Sequence, residues 1–103
     1  MYEEYIGKQL NEFIINSIDI IMSDEYNTFY ELAIQIYNSK TNKLIYEQTI
    51  VYNNGNKLFL CIFDKWDFYK KLDVTIIEGG LFATTNEFLI HQFNIKNYIE
   101  IKI

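Results

Sequence analysis

The segment FDKWDFYKKL, Phe63 to Leu72, holds the densest set of chemistry-bearing groups in the chain. Asp64 and Asp67, with Asp73 just beyond, offer oxygen ligands of the kind that calcium and magnesium take. The same spacing suits a short helix. Asp64 stands where an N-cap belongs, and Asp67 sits where an acidic N3 residue completes a capping arrangement. Asp67 and Lys71 then fall one turn apart, while Phe63, Trp66 and Tyr69 recur at threes along one side. A short helix over a sheet edge uses all of these groups, so no metal site is expected here.

The aspartates beside aromatic residues in this segment resemble the aspartate-bearing loop of C2 domains, which would imply bound calcium. The second acidic loop of that family has no counterpart, and the chain is short for that fold.

Other candidates yield less. His91 is the only histidine and Cys61 the only cysteine, so no zinc set can be assembled. His91 within EFLIHQF is expected on a strand, facing the same side as Leu89 and Phe93, and no serine is placed to complete a triad with it. Cys61, between Leu60 and Ile62, reads as a small buried hydrophobe. Gly79-Gly80 precedes the strand-like LFATT and not a helix, so it is expected to turn a hairpin and not to cradle a phosphate. No catalytic residue and no cofactor site is assigned.

Composition narrows the function classes. Fourteen acids against nine lysines, with no arginine, give a net charge of −5. A nucleic-acid binder needs a basic face, and arginine supplies the forked contacts to phosphate and guanine, so direct nucleic-acid binding is not expected. A mild acid excess suits a solvated surface better than an imitation of DNA phosphates. Glu3, Glu4 and Lys8 interrupt the amino terminus and Asp19 interrupts FIINSIDIIM, so neither a signal peptide nor a membrane span is read. A cytoplasmic location is expected. The abundance of Ile, Asn, Lys, Tyr and Phe follows AT-rich codons and marks the genome more than the role.

The elements that must position these groups follow from periodicity. Tyr2, Tyr5, Ile6, Leu10, Phe13 and Ile14 recur at helical spacing opposite Glu3, Glu4, Lys8, Asn11 and Glu12, which predicts an amphipathic amino-terminal helix with Gly7 inside it. The period then falls to two. SIDIIM, TFYELAIQIY, KLIYEQTIVY, KLFLCIF, DVTIIE, LFATT, EFLIHQF and YIEIKI read as strands or parts of strands, joined by short turns that include Asn54-Gly55. Short connections favour antiparallel neighbours. The expected fold is a single α+β domain over residues 1–103: an amino-terminal helix on a curved, mostly antiparallel meander of about six to seven short strands. A β-sandwich with a peripheral helix is the alternative.

One surplus remains. Phe29 and Tyr37 fall on the strand face that also carries Glu31 and Gln35, and Phe59 and Phe63 fall opposite Leu58, Leu60 and Ile62. One helix cannot cover that much apolar surface, so a partner protein is expected to cover part of it. Phe29, Tyr37, Phe59, Trp66 and Tyr69 are the expected contact residues. The function expected is therefore that of a small, acidic, non-enzymatic binding protein, of the type carried by phages or plasmids as an inhibitor of a host defence nuclease or as an immunity protein. A structural or assembly subunit, including a homodimer, is the alternative, as is a sugar- or small-ligand-binding module built on Trp66.

Overall fold

The computed structural model describes residues 2–52, 57–62 and 74–103. The chain divides into two compact units, residues 1–55 and 56–103. The first contains a 3-10 turn (Glu3–Tyr5) and strands β1 (Gln9–Leu10), β2 (Phe13–Ser23), β3 (Phe29–Asn38) and β4 (Lys43–Tyr52). The second contains β5 (Lys57–Ile62), β6 (Thr75–Glu78), β7 (Leu81–Thr84), helix α1 (Glu87–Gln92) and β8 (Tyr98–Lys102). Each unit forms one four-stranded antiparallel sheet, ordered β1-β2-β3-β4 and β6-β7-β5-β8.

This overturns the expected single meander with an amino-terminal helix. Gly7 and Asn11 both lie in the left-handed region, at φ 89° and 50°, and a helix tolerates neither. The chain instead makes one 3-10 turn and folds back at Asn11-Glu12, so that Leu10 pairs with Phe13. Backbone bonds from Gly7 N–H to the Ile15 carbonyl and from Ile15 N–H to the Lys8 carbonyl continue that pairing. Tyr2, Tyr5, Leu10 and Phe13 are all buried, so the apolar spacing identified core residues while assigning them the wrong element.

The β3–β4 hairpin stays in register over its whole length, from Phe29 opposite Tyr52 to Asn38 opposite Lys43. Its turn is organised by Asn38, whose side-chain oxygen accepts from Lys40 N–H and Thr41 N–H, and by Asn42 at φ 56°. Asparagine is among the few non-glycine residues that adopt that conformation readily. At the other end Asp24 accepts from the backbone N–H groups of Thr28 and Phe29 and from the Thr28 hydroxyl, closing the β2–β3 turn. Strand β2 matches β3 less evenly. Its register shifts between Ile15 and Ser17 and again between Ile20 and Met22. Each shift inserts one extra residue, Asn16 or Ile21, and resets which residues point to which face.

In the second unit β5 is central, paired with β7 and β8, and Leu58 to Cys61 are all buried. A strand buried on both sides reads as continuously apolar, which explains the lack of alternation in KLFLCIF. Helix α1 supplies Ile90 to a cluster with Phe59, Cys61, Phe82 and Ile95, against which Val74 and Phe93 pack. The strand expected over EFLIHQF is therefore corrected to a helix. Its start is set by Asn86, whose side chain accepts from Phe88 N–H at 3.1 Å. Gly79-Gly80 joins β6 to β7 with Glu78 opposite Leu81, and Gly79 takes φ 54°, so this pair forms the expected hairpin turn.

Candidate protein-binding face

Residues directly opposite one another in an antiparallel pair lie on the same face of the sheet. The β3–β4 register therefore gathers Phe29, Glu31, Ala33, Gln35 and Tyr37 with Tyr52, Ile50, Gln48, Tyr46 and Leu44. Ile14 joins them opposite Tyr37, and Met22 opposite Glu31. Tyr30, Leu32, Ile34 and Ile36 occupy the other face with Val51, and of these Leu32, Ile34, Ile36 and Val51 are fully buried.

The first face is open. Leu44, Tyr46, Ile50 and Tyr52 are each more than half exposed, and Met22 is nearly so. Phe29 and Tyr37 are half-buried beside them. The Tyr37 hydroxyl donates to Asn42 Oδ1 at 2.6 Å, and Asn16 Nδ2 donates to Gln35 Oε1 at 3.0 Å, so the polar groups between the aromatic rings are partly held. Gln48 Nε2 donates to the Tyr46 hydroxyl at 3.2 Å. Lone exposed apolar residues are ordinary on protein surfaces, whereas a contiguous patch marks an interaction site. Here the register makes the exposed residues contiguous.

Phe29 and Tyr37, expected as contact residues, lie half-buried on this face. Phe59 does not: it is 2% exposed, belongs to the core cluster of the second unit and meets the Tyr98 ring edge-on at 5.8 Å. Trp66 and Tyr69 lie outside the described residues, as do Phe63, Asn54-Gly55 and the aspartates Asp64, Asp67 and Asp73. Leu44, Tyr46, Ile50 and Tyr52 were missed by sequence reasoning. In KLIYEQTIVY both alternating sets are mixed, Ile45, Glu47, Thr49 and Val51 against Leu44, Tyr46, Gln48 and Ile50, so periodicity alone could not choose the outward set. The signal lay in β3, whose Glu31 and Gln35 fix the open face and, through the register, that of β4.

His91 is exposed on α1, its ring 3.9 Å from Glu87, and not on a strand face with Leu89. Lys57 Nζ lies 3.0 Å from Glu100 and 3.7 Å from Glu87. The hydrogen bond to Glu100, followed by the charges of Glu100 and Glu87, raises the Lys57 pKa above its ordinary value. Cys61 is buried, and desolvation pushes its thiol up to about 11, where it is a poor nucleophile at neutral pH. A shallow pocket of about 390 Å³ opens beside β2, lined by Tyr2, Glu3, Ile6 and the Asn16–Ile20 segment. Its lining is mixed, with Glu3, Asn16, Ser17 and Asp19 beside Ile6, Ile18 and Ile20. Among the described residues no group of three or more metal-ligating side chains is gathered.

Comparison with known proteins returns no match: no protein-family model, curated protein or solved structure matches this chain. Among the described residues no helix is long and apolar enough to cross a membrane.

Proposed function

We propose that this protein acts by binding another protein through the open face of its first sheet. The observation that carries this is the contiguous exposure of Leu44, Tyr46, Ile50 and Tyr52 on β4, in register with half-buried Phe29 and Tyr37. Tyrosine suits such a face, because its ring buries apolar area while its hydroxyl keeps a polar partner. The face carries few charges: Asp19 and Glu31 lie on it, with no lysine among its paired positions. It is built as an apolar dock and not as a lattice of carboxylates copying DNA. The inhibitor or immunity-type role expected from the sequence would work through this dock.

A second role, subunit of an assembly, is favoured by one specific observation. Strand β4 is both the carrier of the exposed residues and, among the described residues, the edge of its sheet.

The test is paired capture and stability. The full chain serves as bait in extract of its source organism supplemented with an untagged copy of itself, beside the double variant Tyr46→Ser with Ile50→Ser. Exposed positions of this kind change stability by within about 0.5 kcal/mol, so the denaturant midpoint should hold while capture is lost. Unchanged capture by the double variant would remove this face from the mechanism.

A further inference from the structure

We propose that the free edge of β4 pairs with the same edge of a second copy, antiparallel about a two-fold axis at Gln48, so that two four-stranded sheets join into one. This rests on the docking role of the open face and names its partner.

The edge is unusually complete. Strand β4 closes one side of the sheet, and among the described residues no strand pairs with its outer side. It runs for ten residues without a bulge against β3, and the chain contains no proline. Protein edges are normally blunted by bulges, prolines, short strands, charged side chains or inward-pointing charges. On the other side of this sheet, β1 has only two residues and β2 is broken by two register shifts. Along β4 the bulge, the proline and the short strand are missing, and its charges are only Lys43 at its start and Glu47 on the face opposite the dock.

Register selects the partner. A two-fold axis normal to the sheet requires the pairing to centre on one residue, so that residues of one face meet residues of the same face. Centred on Gln48, the pairing sets Leu44 opposite Tyr52 and Tyr46 opposite Ile50 on the open face. On the other face it sets Ile45 opposite Val51 and Glu47 opposite Thr49. Aromatic–aliphatic neighbours of this kind stabilise strand pairs, and like charges directly opposite destabilise them. Centring one residue earlier would oppose the two Glu47 carboxylates; centring one later would set Leu44 and Ile45 past Tyr52, the last residue described for the partner strand. The charge balance agrees. The chain as a whole carries −5, yet β4 holds one lysine and one glutamate, so identical strands meet without net repulsion and a basic partner finds little to grip.

The experiment is the molar mass of the full chain by light scattering and sedimentation over a concentration series. The expected result is a rise from 12.4 kDa to twice that mass as concentration increases. Gln48→Lys places two ammonium groups opposite each other and should return the mass to that of one chain, with a denaturant midpoint equal to wild type's at dilutions where both are single chains. Gln48→Cys supplies the register test. Opposite residues in an antiparallel pair have Cα atoms about 4.5–5.5 Å apart, within disulfide reach. Mild oxidation should therefore cross-link Gln48→Cys as a dimer and leave Tyr46→Cys uncross-linked, while buried Cys61 stays reduced in both. A wild-type chain that stays at one-chain mass at every concentration overturns the pairing, as does cross-linking of Tyr46→Cys as fast as Gln48→Cys. If the chain is monomeric while Tyr46→Ser with Ile50→Ser still abolishes capture of a different protein, self-pairing falls and the docking face stands. If neither association nor capture responds, both fall.

Discussion

Two side chains of opposite character show how the surroundings set chemistry at the residue scale. Burial raises the Cys61 thiol from 9.0 to about 11. A raised folded-state pKa contributes stability that is fully present below the unfolded value and lost as pH climbs through the folded one. Cys61 therefore favours the fold at neutral pH, and its share should fade between pH 9 and 11; Cys61→Ala should flatten that part of a denaturant-midpoint profile. A thiol reagent should label the native chain far more slowly than the unfolded one. Asp24 is the reverse case. The Thr28 hydroxyl bond, with the backbone N–H groups of Phe29 and Thr28, lowers its pKa. A depressed carboxylate contributes stability above its unfolded pKa and loses it as pH falls through the folded value. Asp24→Asn should therefore lower the midpoint at pH 7 and narrow its gap from wild type as the buffer is acidified below the usual carboxylate range. An unchanged gap down to pH 2 would show that Asp24 is not the group closing the turn.

At the scale of elements, caps and turns decided what periodicity could not. The β3–β4 hairpin was legible because Glu31 and Gln35 alternate with Leu32, Ile34 and Ile36, and because NSKTN offers turn residues between two strand-like runs. The amino-terminal hairpin was not, since Tyr2, Tyr5, Leu10 and Phe13 satisfy a helical stripe as well as they satisfy the buried side of a folded-back chain. Only the left-handed angles at Gly7 and Asn11 separate the two, and a side-chain pattern does not contain them. For α1 the deciding signal was the cap at Asn86 ahead of Glu87, which strand-like alternation in EFLIHQF concealed. Asn86→Ala should cost about 1 kcal/mol, measured by chemical denaturation, with loss concentrated in the second unit. Gly79 at φ 54° has open space where a Cβ would stand, so Gly79→Ala is penalised by backbone conformation alone. That cost should be about 1 kcal/mol. Gly80 is not among the glycines at positive φ, and Gly80→Ala should cost less.

For the whole molecule, surface charge and the open apolar face act against each other. A net charge of −5 opposes non-specific clustering of copies at neutral pH, and that repulsion vanishes near the isoelectric point of about 4.7. Solubility should therefore pass through a minimum near that pH, and Tyr46→Ser with Ile50→Ser should fill the minimum in without moving it. The overall charge and the outward set Phe29 and Tyr37 could be read from the chain directly. The partition into two sheets could not, because strand order depends on which edges meet and not on any one segment's composition.

The two register shifts in β2 bear on how the length of this chain can vary. Ile15 is paired with Ile36 and Ser17 with Gln35, so removing Asn16 alone would make consecutive residues of β2 oppose consecutive residues of β3, with every remaining side chain on its present face. Removing Ile21 would do the same between Ile20 and Met22. Excising Ile18 instead would send a stretch of the strand through the sheet to the wrong side, exchanging Asp19 for a buried position. Single-residue deletions along Phe13–Ser23 should accordingly fall into two sharply different groups when scored for folded, soluble chain. The sites that tolerate loss should be the two bulges, where one-residue differences in length between natural variants of this protein would be expected to accumulate.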